Sequence, residues 1–250
     1  MLAAERRTHL LGTLARDGKV VAKSIAAELG ISEDSVRRDL RELAAEGLVQ
    51  RVYGGALPVS PAVVDYTARQ RVNPDSKRRV ARAALRLIGP DMTVLLDGGT
   101  TALAVAELLP RDLRCTVVTH SPTVAAALVD HPTAQVVVIG GVLFKHSAVT
   151  GGASAVEAAQ RISADLFLLG VTGVHPDAGL TTGDPDEAAM KRALAARSAE
   201  TWVLGSAEKI GAASPFQVLP WSDVAGVLTD AGPSPTMERL RSVTTVSVAD

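Results

Sequence analysis

Apolar residues recur at helical spacing three times within the first fifty positions, then fall into short runs that alternate with amphipathic stretches. Leu10, Leu11 and Leu14 predict a first helix that begins among arginines and stops at Gly18, ahead of Val20 and Val21. Ile25 and Leu29 share a face of a second, short helix from Ala22 to Leu29, with Gly30 placed as its C-terminal cap. Ser32 follows as an N-cap, and Glu33 and Asp34 occupy a first turn where the helix dipole favours acids. In this third helix Val36, Leu40 and Leu43 lie within one narrow arc and face inward. Ser35, Arg38 and Glu42 fall opposite them, flanked by Asp34 and Arg41. Gly47 ends the helix, and residues 48–55 predict a short hairpin.

Pro58, Ser60 and Pro61 interrupt any period and predict a domain boundary. Residues 62–75 read as a crossing segment, with Arg69 and Arg71 on a charged helix that bridges two domains. From residue 76 the pattern predicts helices at 76–87, 101–109, 122–130, 154–162 and 187–197. Strands are predicted at 93–96, 115–119, 135–139, 166–170, 200–204 and 226–229. Such alternation is the mark of a mostly parallel sheet covered by helices. The organisation expected is therefore an all-α, winged helix-turn-helix domain over 1–57, a linker over 58–75 and an α/β domain over 76–250.

Composition narrows the picture without redirecting it. Hydrophobic residues at 47% with charged residues at 21% describe a globular chain built on Ala, Val and Leu, not a disordered one. The single cysteine, Cys115, excludes an internal disulfide, and no Cys/His cluster has zinc-site spacing, so neither metal nor other cofactor is expected. No segment has the apolar run of a secretory signal or a bilayer span, which predicts a cytoplasmic protein with no membrane partner. Net charge is −1, and residues 1–60 carry nine Lys/Arg against eight Asp/Glu. Contact with nucleic acid would thus depend on local clustering of arginines.

Two helices joined by a tight turn, the second presenting Ser and Arg outward, make a helix-turn-helix whose second helix enters the major groove of double-stranded DNA. Ser32, Asp34, Ser35, Arg37, Arg38 and Arg41 are its candidate contacts. The hairpin adds Arg51, Tyr53 and Gly54 as a wing, the glycine allowing main chain to approach phosphate. In the α/β domain, ligands are expected at the carboxyl ends of strands. Asp97-Gly98-Gly99-Thr100-Thr101 runs from a buried strand into a helix start and combines free N–H groups, hydroxyls and a positive dipole end, a cradle for phosphate. Thr119, His120 and Ser121 end the next strand, and Gly140 and Gly141 the one after it. Glu187, Lys191 and Lys209 add charge to the candidate effector site. A Gly-Gly pair after a strand can equally be a plain turn, and a lone lysine a solvated one.

Residues 31–56, ISEDSVRRDLRELAAEGLVQRVYGGA, closely resemble the signature of the DeoR family, with its Arg-Arg-Asp-Leu core and the Gly-Gly-Ala end of its wing. LLDGGTT, VVTHS, VIGG, LGVTGVHPDAGLTTGDPDEAAMKRAL and VLGSAEKIG follow in order the motifs of that family's C-terminal sensor domain. The resemblance covers nearly the whole chain. It implies a sensor related in fold to sugar-phosphate isomerases such as ribose-5-phosphate isomerase, and control by a phosphorylated sugar or similar metabolite. Thr172 and Ser206 stand where the family pattern commonly has aspartates, and His120 where it usually has asparagine.

These readings predict a sequence-specific transcription regulator, a repressor of sugar-related genes, with operator DNA and a small phosphorylated metabolite as partners. Paired half-sites would require a homodimer or larger homo-oligomer. Two alternatives stand beside it. One is a sugar-phosphate isomerase using Asp97 or Glu187 as base, although the DNA reader has no role there. The other is a regulator that keeps the fold and has lost its ligand.

Overall fold

A computed structural model describes residues 2–249. Helix α1 (Ala3–Asp17), strand β1 (Val20–Val21), helix α2 (Ala22–Leu29) and helix α3 (Glu33–Ala45) precede strands β2 (Gln50–Val52) and β3 (Gly55–Leu57). Leu10, Leu14, Ile25, Val36, Leu40 and Leu43 meet in a core of their own. The hairpin gains a third strand, because β1 pairs with β3 in the order β1-β3-β2. That pairing explains the second glycine of the wing: a β-carbon on Gly55 would lie 1.8 Å from the Val20 carbonyl oxygen.

The crossing segment is not a free bridge. Val59 pairs with Ala213 in an isolated parallel bridge, and the Ser60 hydroxyl donates to the Thr172 carbonyl oxygen. A 3-10 turn at Pro61–Val63 leads to helix α4 (Tyr66–Arg71), capped by Asp65. Arg69 is therefore buried against the α/β domain rather than solvated, which corrects its placement on an open charged helix, while Arg71 is exposed.

Helix α5 (Pro74–Leu85) opens the second domain, followed by β4 (Thr93–Leu96), α6 (Thr100–Glu107), β5 (Thr116–Thr119), α7 (Pro122–Ala127) and β6 (Gln135–Val138). A hairpin of β7 (Val142–Phe144) and β8 (Val149–Gly151) precedes α8 (Ala153–Ala159) and β9 (Ala164–Gly170). A second hairpin, β10 (Gly173–His175) with β11 (Gly179–Thr182), leads to α9 (Pro185–Ala195) and β12 (Ser198–Leu204). Strands β13 (Phe216–Gln217) and β14 (Gly226–Thr229), helix α10 (Pro235–Arg241) and strand β15 (Val246–Val248) complete the chain.

Seven strands form one sheet in the order β15-β14-β12-β9-β4-β5-β6, every neighbouring pair parallel. Parallel strands buried on both faces read as continuous apolar runs, as at Leu166-Phe167-Leu168-Leu169. Leu166 and Leu168 turn toward α5, α6 and α7, and Phe167 and Leu169 toward α8, α9 and α10. The two hairpins, α10 and β15 are absent from the periodic reading. Strands of three residues, as at β7, β8, β10 and β15, give too short a window for a period of two to register. No helix among the described residues is long and apolar enough to cross a membrane.

The strand order sets the position of the site. After β4 the chain builds β5 and β6 on one side, then crosses back to place β9 on the other. The carboxyl ends of β4 and β9 thus flank a topological switch point, where open α/β sheets leave a crevice.

Candidate functional site

Two surfaces gather the predicted residues. On the DNA-reading side, the Ser32 hydroxyl caps α3 by accepting the Ser35 N–H at 3.2 Å. Asp39, between the exposed Arg38 and the core residue Leu40, turns inward to receive Arg6 in a fork of 2.7 and 3.0 Å. The aspartate of the Arg-Arg-Asp-Leu string therefore clamps α3 to α1, leaving the arginines beside it outward. Arg37 pairs one turn back with Glu33 at 2.7 Å. Arg38, Arg41 and Arg51 are exposed, and none of them forms an ion pair among the described residues. Arg37, Arg51, Tyr53 and Gly54 border one concavity between α3 and the wing, with Tyr53 fully exposed at its tip. Asp34 is exposed on the first turn of the same helix.

At the switch point the centre is Asp97, wholly buried just past the end of β4. Its Oδ1 accepts from the Gly98 N–H and from His120 Nε2, both at 2.8 Å. Its Oδ2 accepts from the Gly170 N–H at 2.8 Å and from Lys191 Nζ at 2.7 Å. One carboxylate thus stitches the ends of β4 and β9 together and orients a lysine. Burial works to raise its pKa but is outweighed by the Lys191 ammonium and the His120 hydrogen bond, which hold the carboxyl well below the usual range. Lys191 shows the mirror image: burial opposes its charge, and Asp97 and Glu187 overcome that and raise it.

A cleft opens above Asp97, floored by Gly98, Gly99, Thr100 and Thr101 and walled by Arg69, Lys77, Lys191 and Lys209. The first N–H groups of α6 have no partner within the helix, and no side chain caps them because the N-cap is Gly99. The two glycines serve different ends. A β-carbon on Gly98 would sit 2.0 Å from Val149, so packing demands that glycine, whereas Gly99 has open space around it but a backbone φ of +102° that side chains rarely adopt.

The four cations differ in how they are matched. Lys191 faces two carboxylates, Asp97 at 2.7 Å and Glu187 at 3.2 Å. Among the described residues Lys209 donates to the Thr101 hydroxyl at 3.3 Å and the Leu204 carbonyl at 3.1 Å. Lys77 donates to the Arg69 carbonyl, and Arg69 to the His146 carbonyl at 2.9 Å and the Ser147 hydroxyl at 3.3 Å. Three buried cations rest on neutral oxygens, and the Arg69 Nε has no hydrogen-bond partner. Burial first, and then the positive charges of Lys77, Arg69 and Lys191, push the Lys209 ammonium down to about 8 against the opposing pull of Glu208. The lining sets four cations against two carboxylates, Glu187 and Glu208, and is cationic on balance.

Not every predicted residue reaches this cleft. Thr119, His120, Ser121, Gly140 and Gly141 lie outside its lining. His120 is wholly buried behind Asp97, with Nδ1 2.9 Å from the Thr150 carbonyl oxygen. Thr119 accepts the Ser121 N–H at 3.1 Å, and Ser121 donates to the Ala148 carbonyl at 3.1 Å. Gly141 approaches β8 so closely that a β-carbon would lie 2.5 Å from the Gly151 carbonyl oxygen. These groups hold the β7–β8 hairpin, whose turn delivers Ser147 to the cleft wall. Arg69, Lys77, Ser147 and Glu208 are cleft residues that the sequence pattern does not single out. Nothing in the spacing of Arg69 or Lys77 sets them apart from their exposed neighbours Arg71 and Arg78.

Neither carboxylate considered as an isomerase base is free. Asp97 is held ionised by four donors, and Glu187 receives Lys191 and, at 3.0 Å, the Ser147 hydroxyl. Thr172, in place of an aspartate, is turned to the Thr181 carbonyl and Ser214.

A winged helix-turn-helix joined to an α/β domain with a cationic crevice at its switch point defines a ligand-controlled transcription regulator. Residues 6–62 match the DeoR-like helix-turn-helix domain and residues 72–231 the DeoR C terminal sensor domain. The chain belongs to the DeoR family of transcription regulators. It is 33% identical to the HTH-type transcriptional regulator GlpR of Haloferax volcanii over 92% of this chain and 91% of that one. It is 28% identical to the glycerol-3-phosphate regulon repressor of Escherichia coli strain K12, with 93% of each covered. The transcriptional repressor GlcR of Bacillus subtilis is also 28% identical, over 94% of this chain and 91% of that one. Among solved structures, ribose 5-phosphate isomerase A of Methanocaldococcus jannaschii is similar over 52% of each chain, at a TM-score of 0.39 and 17% identity.

Proposed function

We propose that this chain is a cytoplasmic repressor that holds double-stranded operator DNA through α3 and the wing, and releases it when a small phosphorylated sugar or related metabolite occupies the cleft. The observation that carries this reading is the set of three buried cations whose hydrogen bonds go to neutral oxygens, beside uncapped helix N–H groups. A phosphate brings close to two negative charges and three acceptor oxygens, which meets both needs at once. Lys209, Lys77 and the N–H groups of Thr100 and Thr101 take the phosphate. Asp97, with His120, supports the site from beneath, and Lys191 stays with its carboxylates. Ser32, Asp34, Ser35, Arg37, Arg38 and Arg41 face the major groove, and Arg51, Tyr53 and Gly54 face the backbone. Operator half-sites are then read by a homodimer or larger assembly.

The test is thermal unfolding of the purified chain with a panel of sugar phosphates and the same sugars without phosphate. A ligand at 100 times its dissociation constant adds about 2.7 kcal/mol of stability. A phosphorylated compound should raise the melting temperature and release the selected operator fragment, and its unphosphorylated form should do neither. Lys209→Met should abolish both effects. Gly99→Val is the poorer probe, because its left-handed backbone makes folding and binding fail together. Protection by no phosphorylated compound would sink the reading.

A further inference from the structure

The cleft at the switch point is too small for the ligand proposed for it. It admits about 20 Å³, room for one or two waters and hence for little beyond an anionic head. A second cavity of about 450 Å³ lies beside it, between the DNA reader and the sensor. Arg69, Ser147, Thr172 and Glu187 line both, so the two spaces share one wall, in which Arg69 donates to Ser147 and Ser147 to Glu187. On its other side the larger cavity is bounded by Ala44 of α3, Gly47 and Gln50, all belonging to the DNA reader. Arg69, the side chain at the junction, is 7% exposed and has an unpartnered Nε.

Resting on the phosphorylated-ligand reading above, we infer that the effector spans both cavities, with its anionic head in the small cleft and its hydroxylated body between the two domains, in direct contact with the DNA reader. Arg69 is the group the ligand passes, and its free Nε–H donates to the ester or hydroxyl oxygen next to the phosphorus. Asp184 and Glu187 on the sensor wall accept from the hydroxyls beyond. Gln50 answers them from strand β2, one residue away from the wing contact Arg51. Signal transfer then requires no relay through the sheet, because the occupant itself touches the end of α3 and the start of the wing. The segment that carries Arg69 is also tied at Val59 and Ser60, two and three residues after β3. An occupant that shifts α4 therefore pulls on the wing from its other end.

The experiment fills the larger cavity from the DNA-reader side and leaves the sensor untouched. Ala44→Met and Gln50→Trp each add bulk there, the second on a half-exposed side chain of an edge strand where folding is little affected. Binding of inorganic phosphate and of glycerol 3-phosphate, ribose 5-phosphate and fructose 6-phosphate is measured by calorimetry on the full wild-type chain and both variants. Inorganic phosphate should bind all three proteins alike. Whichever sugar phosphate binds the wild type best should lose tenfold or more in both variants, and the loss should grow with the length of its carbon chain. Unchanged sugar-phosphate affinity in a folded Gln50→Trp variant overturns the spanning arrangement and leaves the phosphate cleft intact. Binding of no phosphorylated probe by the wild type overturns both.

Discussion

The DNA reader and the sensor use arginine and lysine in opposite ways. In the reader, Arg38, Arg41 and Arg51 stand in water, and the core beneath them is apolar apart from the Arg6–Asp39 clamp and the buried Thr13. In the sensor, Arg69, Lys77, Lys191 and Lys209 are all buried, and one carboxylate with four donors holds the arrangement in place. Exposed cations change partners freely, which suits a surface that slides over many phosphates before meeting its site. Buried cations carry a standing desolvation cost that a single anion can relieve, which suits a switch. Function in the first region should be separable from stability, and in the second the two should be tied.

The sharpest break of that comparison is Asp97→Asn. Removing one partner of a buried ion pair leaves the other uncompensated and costs roughly 3–5 kcal/mol. Trp202 and Trp221 both lie in the sensor, so their fluorescence in a urea titration reports that domain. A loss below about 1 kcal/mol would mean that Asp97 is not the keystone described here.

Next in size is Arg38→Ala in the reader. If the side chain is bidentate to a guanine, operator affinity should fall by roughly 1–3 kcal/mol and selectivity should relax at one base pair only. The urea midpoint should stay where it is. Equal weakening on every sequence would make Arg38 a phosphate contact instead.

The third effect is a pH dependence confined to the sensor. The Lys209 ammonium has a pKa of about 8 when buried, below its ordinary value of 10.5. Its charge is therefore present below pH 8 and lost above it. Affinity for a phosphorylated ligand should be highest between pH 6 and 8, since phosphate loses its second charge below about 6. Above 8 it should decline by at most about tenfold per unit. Stability without ligand moves the other way: the cost of the buried charge is full below pH 8 and is lifted as pH rises toward 10.5. An affinity that stays flat from pH 7 to 9.5 would remove Lys209 from the phosphate site.

Smallest is Glu33→Gln, which breaks the exposed pair with Arg37. Such pairs one turn apart contribute about 0.3–0.5 kcal/mol. Its melting temperature should barely move, and a large drop would erase the contrast between the two regions.

Legibility followed the same division. Ser32 as cap, the inward Val36, Leu40 and Leu43 and the outward Arg38 and Arg41 are all readable in the chain, because a helix face repeats within a few residues. Lys191 and Lys209 are suggested by their strings, but their different matching is not. Arg69 shows the limit most clearly: on one six-residue helix its guanidinium is buried and that of its neighbour Arg71 is not. His120 shows the converse, a residue at a strand end that supports Asp97 from behind the site instead of facing the cleft.

What the sequence by itself determined is the reader and the alternation of the sensor, because caps, turns and periods act over ten to thirty residues. Only the tertiary structure decided that the switch point lies between β4 and β9, since that depends on the order in which separated strands pair. The cleft follows from it, drawing on residues 69, 77, 98–101, 147, 191 and 209. Their charge states and open valences arise from burial, and burial is a property of the whole packed chain that no local stretch of it carries.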